Sequence, residues 1–104
     1  MVKIPTKDDE KKFTEQLRQM ADQAKSELNY NSNRFLGMLA KNGGFATAHN
    51  LLARSEPSEG FTNMHLAGRV DLTMECLVQR REWRDFFSAS EIRRAQSLTG
   101  VGKC

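Results

Sequence analysis

The sequence predicts an all-α fold, and three observations predict it. Apolar residues recur three and four apart in successive stretches, the period of a helix with one buried face. Glycine, proline and a serine–glutamate pair stand where helices would start and stop. No stretch alternates apolar with polar long enough for a strand, and Arg69-Val70-Asp71 is too short to weigh. The expectation is a single compact domain over residues 7–99, of five to seven short helices with a longer amphipathic amino-terminal one, between flexible tails at 1–6 and 100–104.

Pro5 blocks helix before Thr6, whose hydroxyl can cap a helix beginning at Lys7. Asp8, Asp9 and Glu10 then occupy a first turn, where the helix dipole favours negative charge. Phe13, Leu17, Met20, Ala21, Ala24 and Leu28 fall on one stripe, opposite the charged face of Lys11, Lys12, Glu15, Arg18, Asp22 and Lys25. Asn29-Tyr30-Asn31-Ser32-Asn33 predicts a turn. A second helix over about Asn33 to Lys41 carries Phe35, Leu36, Met38 and Leu39 and stops at Asn42-Gly43-Gly44. A third runs from about Phe45 to Arg54 on Phe45, Ala48, Leu51 and Leu52.

Ser55-Glu56-Pro57 marks a fourth start, with proline in the first turn where its missing N–H costs nothing. That helix, about Pro57 to Ala67, turns Phe61 and Met64 inward, with His65 a further candidate, and Gly68 ends it. Asp71 is placed to cap a helix reaching about Gln79 with Leu72, Cys76 and Leu77 inside. Glu82 to Phe87 reads as an aromatic turn or one-turn helix. Ser88-x-x-Glu91 is a capping box, and Ile92 and Ala95, with Leu98 a further candidate, give the last helix its buried edge before Gly100.

A chain of 104 residues has room for one core. Its 38% apolar content excludes a disordered chain, no run approaches a bilayer span, and the charged amino terminus excludes a secretory signal there. A cytoplasmic location is expected. Two cysteines are too few for a disulfide framework, so Cys76 is expected as a small buried hydrophobe and Cys104 as an exposed free thiol. The net charge of +3 is only mildly basic, but Arg80, Arg81, Arg84, Arg93 and Arg94 gather near the carboxyl end.

The stretches Gly43 to Leu52 (GG-x-x-TA-x-x-LL), Pro57 to Thr62 (PSEGFT), Gly68 to Glu75 (GR-x-DLT-x-E) and Glu82 to Glu91 (EWR-x-FF-x-x-E) resemble a family of small uncharacterised domains from bacterial and phage-encoded proteins. Together they span about half of the chain, with a looser match at Tyr30 to Leu39. Asn63-Met64-His65 departs from the pattern, which has a leucine and a tryptophan there. The resemblance implies an origin and a fold and carries no catalytic residue across.

No constellation declares a reaction. His49, His65, Cys76 and Glu75 are types that zinc accepts, but their spacing forms no motif, and no metal or other cofactor is expected. The serines are explained by helix starts, and Gly43-Gly44 lacks the lysine and strand of a phosphate loop. The hairpin Asn33 to Arg54 has a helix-turn-helix outline, whose second helix would offer Thr47, His49, Asn50 and Arg54. The arginine group is a better electrostatic candidate, with Trp83 between its members able to stack on a base; intramolecular pairs with Glu82, Asp85 and Glu91 explain it equally well. Met38 and Trp83 suit either core or interface, while Met20 and Met64 suit the core.

The reading is a non-enzymatic helical module that binds a larger protein or complex. A phage-borne chain of this kind would suit inhibition of a host defence complex such as a CRISPR effector. The alternative is a DNA- or RNA-binding protein. The residues named for either partner are Arg80, Arg81, Trp83, Arg84, Arg93 and Arg94.

Overall fold

The computed structural model describes residues 2–100 and 104, and all of its regular structure is helical. Six α-helices succeed one another along the chain: α1 Lys7–Leu28, α2 Asn33–Asn42, α3 Gly44–Leu52, α4 Glu59–Leu66, α5 Met74–Leu77 and α6 Ala89–Thr99. Two 3-10 turns, Val70–Leu72 and Arg84–Phe86, lie on either side of α5, and no strand occurs among the described residues. The Cα radius of gyration is 12.7 Å, against about 13 Å expected for a compact chain of this length.

α1 starts as expected. Thr6 Oγ1 accepts from the Asp9 N–H at 3.1 Å while Asp9 Oδ2 accepts from the Thr6 N–H at 2.9 Å, a closed capping box. Its buried stripe is Phe13, Leu17, Ala21 and Ala24, and Asn29 in the left-handed conformation ends it. α3 lies at the centre, packed on α1, α2, α5 and α6. Its amino terminus has no capping side chain of its own. α1 supplies two acceptors instead: Thr14 Oγ1 takes the Gly44 N–H at 2.9 Å and Glu10 Oε2 takes the Phe45 N–H at 3.1 Å. This close approach explains the double glycine. Gly43 has φ +82, and a Cβ on Gly44 would stand 2.8 Å from the Phe13 ring.

The main core is aromatic. Phe13 stacks on Phe45 with centroids 4.4 Å apart, Trp83 meets Phe13 edge-on at 5.0 Å, and Phe86 and Phe87 close the group against Phe45. α6 opens on the expected capping box, Ser88 with Glu91. Glu91 also binds α3, with His49 Nδ1 at 2.5 Å from its Oε2.

Several expectations are corrected in the second half. α4 is capped by Ser58, whose hydroxyl accepts from the Phe61 N–H at 3.1 Å, so Pro57 precedes the cap, because only the serine offers an acceptor. His65 is exposed rather than inward. Asp71 caps nothing, because Arg69 holds both its oxygens at 3.0 and 3.1 Å while reaching Glu27 at the end of α1. Thr73 caps α5 in its place, accepting from the Cys76 N–H. The helix expected to reach Gln79 is therefore the 3-10 turn and the single turn of α5, and the third helix stops at Leu52 rather than Arg54.

Cys76 is buried and Cys104 exposed as expected, but the expectation of a free thiol is overturned. Cys76 and Cys104 form a disulfide, with Cα atoms 5.4 Å apart, so neither is a free thiol. Of the tail expected at 100–104, residues 101–103 lie outside the described residues. At the other end the Lys3 N–H donates to the Asp85 carbonyl at 2.9 Å.

Candidate functional site

The residues named from the sequence separate into distinct places. Arg80, Arg81, Arg84 and Arg93 are exposed. No ion pair among the described residues involves them, so the expected internal pairing with Glu82, Asp85 and Glu91 is absent there. Arg94 is half-buried, and its guanidinium donates to the carbonyls of Arg54 at 3.3 Å and Ser55 at 2.9 Å, where α3 has run out of its own donors. Trp83 does not stand between the arginines as a stacking platform. It is 4% exposed, its ring is enclosed by Phe13, Phe45 and Phe86, and its indole N–H donates to Gln16 Oε1 at 3.0 Å. A tryptophan buried with its one polar atom satisfied is a core residue.

The helix-turn-helix outline also loses its reading surface. Thr47 is fully buried and His49 is bonded to Glu91, which leaves Asn50 and Arg54 of the four residues named. Arg54 donates back to Asn50 Oδ1 at 3.0 Å.

A cleft of about 310 Å³ forms the clearest site, bounded by α1, the start of α2, the end of α3, α4 and the first part of α5. Its size is at the lower end for small-ligand pockets. Apolar side chains dominate the wall: Met20 from α1, Phe35 and Met38 from α2, Phe61 and Met64 from α4, and Met74 from α5. α1 and α2 are joined by a turn that leaves Tyr30 partly exposed, and α4 packs toward α1 through the second cluster of Ala24, Met64 and Leu72. The mouth is polar, with the Tyr30 hydroxyl accepting from the Asn63 amide at 3.4 Å.

Glu75 lines this cleft and is 4% exposed. No side-chain hydrogen bond or ion pair among the described residues reaches its carboxylate, which takes a backbone N–H, while its backbone carbonyl accepts from the Gln79 amide. Burial pushes its carboxyl up to about 7, against smaller opposing effects from its backbone hydrogen bond and the charge of Arg94. The other perturbed acids go down. Arg69 holds Asp71 and Glu27 below the usual range. Burial raises Glu91, but the His49 hydrogen bond and the Ser88 N–H outweigh it and leave it low.

Sequence reasoning missed Glu75 as a site residue and weighed it only as a spare zinc ligand. The available signal was one carboxylate inside the apolar run Leu72 to Val78. Among the described residues no three of the types histidine, cysteine, aspartate and glutamate gather as a metal site, and no helix is long and apolar enough to cross a membrane. Comparison of the chain with protein-family models, curated proteins and solved structures finds no match.

Proposed function

We propose that the chain is a small helical binding module that holds a segment of a larger protein in the cleft between α1, α2 and α4. The observation that carries this reading is the wall of Met20, Phe35, Met38 and Met64 around an open cavity of about 310 Å³. Methionine adapts to irregular partner surfaces, and an apolar groove between helices is a common seat for an amphipathic segment. Inhibition of a larger complex by occupying one of its surfaces is the form of this activity that suits a phage-borne chain.

The test is capture from bacterial lysate with nuclease present, comparing the native chain with Met38→Glu and with Arg80→Ala combined with Arg81→Ala. The reading expects a stoichiometric protein that survives nuclease, is lost with Met38→Glu and is kept by the double arginine variant. Capture unaffected by Met38→Glu, with that variant folded by circular dichroism, overturns it.

Nucleic-acid binding is the second reading, favoured by the exposed Arg80, Arg81 and Arg84 with no ion-pair partner among the described residues. It expects oligonucleotide binding that weakens steeply with salt and is lost in the double arginine variant. A cytoplasmic site of action would keep Cys76 and Cys104 reduced, since disulfides persist mainly in oxidising compartments.

A further inference from the structure

A carboxylate buried in an apolar wall without a partner is costly, and pairing it with a cation or a donor relieves that cost. Glu75 is buried with no side-chain hydrogen bond or ion pair among the described residues to offset that cost, and it lies on the wall of an open cleft rather than in a sealed core. We infer that the cleft receives a primary ammonium group carried on an apolar stem, supplied by a lysine side chain of the bound segment and seated on the Glu75 carboxylate. The inference rests on the docking reading above and adds the chemistry of what docks.

The surroundings favour a lysine over other occupants. Its four-carbon stem can lie along Met38, Phe35 and Met64 while its compact head reaches one acceptor. A guanidinium presents five donors in a planar fork, more than the one carboxylate can accept. A carboxylate or phosphate would meet Glu75 as a like charge.

The ionisable groups nearby have prior engagements. On α6, Arg94 acts on Glu75 but is held by the carbonyls of Arg54 and Ser55. On α3, His49 is bonded to Glu91 of α6, and in the 3-10 turn before α5, Asp71 is bonded to Arg69. The remaining charges on the cleft wall are Arg34, Arg54 and Glu59, of which Arg54 is turned onto Asn50. These groups fix the sign of the pH effect. An ammonium ion stays charged below about pH 10, so the step that controls pairing is ionisation of Glu75, and affinity rises as pH rises through 7.

The experiment uses phenethylamine, 2-phenylethanol and phenylacetate as cationic, neutral and anionic probes of one shape. Binding to the native chain and to Glu75→Gln is tracked through the methionine methyl and Tyr30 signals in NMR spectra. The expected result at pH 8 is amine binding at least tenfold tighter than the alcohol, with Met38, Met64 and Tyr30 shifted. The gap should close at pH 5.5 in the native chain, and at pH 8 in Glu75→Gln. A blocked lysine peptide should show the same preference over its Nε-acetylated form.

Alcohol binding with no gain for the amine overturns the ammonium inference and leaves the docking reading standing. Binding of no probe, or tighter binding of phenylacetate, also overturns the inference. Amine binding with failed protein capture separates the two in the other direction, keeping the ammonium site and removing the protein partner. Should Glu75→Gln not fold, the pH comparison in the native chain decides alone.

Discussion

Glu75 and Thr47 are both buried polar side chains, and each carries a prediction. Glu75 stays protonated to about pH 7 in the fold, whereas an ordinary glutamate titrates near 4.5. The folded state therefore binds more protons at this group between those values, so the contribution of Glu75 to stability is full below about 4.5 and falls as pH rises to about 7. The loss is on the order of 3 kcal/mol. Urea titrations at pH 4.5 and pH 8 should show this slope in the native chain and a much smaller one in Glu75→Gln. Thr47 Oγ1 is buried with no hydrogen-bond partner among the described residues. Thr47→Val exchanges that hydroxyl for a methyl of similar size and should stabilise by about 1 kcal/mol in the same titration. At this scale the sequence was legible where a residue acts on its neighbours. Thr6 with Asp9, and Ser88 with Glu91, each sit three apart and bond within that span. Trp83 was not legible, since the Gln16 that receives its N–H lies 67 residues away.

The six helices show the same division. α1 and α2 begin and end where periodicity and turn residues put them, because a stripe of apolar residues and a left-handed closing residue are local properties. α5 was misplaced because two candidate caps, Asp71 and Thr73, lie two apart. The choice between them fell to Arg69, which is tied across the fold to Glu27. The junction of α1 with α3 gives the sharpest test of an element contact. Gly44→Ala would put its Cβ 2.8 Å from Phe13 Cδ2 and 3.1 Å from the Thr14 backbone, neither of which can yield without moving the core. It should destabilise by about 1 to 3 kcal/mol, read as a lower urea midpoint with an unchanged slope.

For the whole molecule, the all-α class was legible and the cleft was not. Its wall comes from elements far apart in the chain, and Met20, which packs on the core as its helical spacing assigned it, also lines the cleft along with Met38. The disulfide was equally hidden, because two cysteines 28 apart carry no pairing signal. Closing a loop of that length removes chain entropy from the unfolded state worth roughly 3 to 4 kcal/mol. Reductant should lower the chain's stability by about that amount, and thiol titration of protein quenched directly from cells will show which form exists there. The bond also changes the connectivity of the chain, from a line to a ring bearing a long tail. All of α6 and the Arg84–Phe86 turn lie inside the ring. A single backbone cut there leaves one covalent molecule, whereas a cut in α1 to α4 leaves two, so only the segment from Cys76 to Cys104, about a quarter of the chain, can be nicked without dividing it covalently.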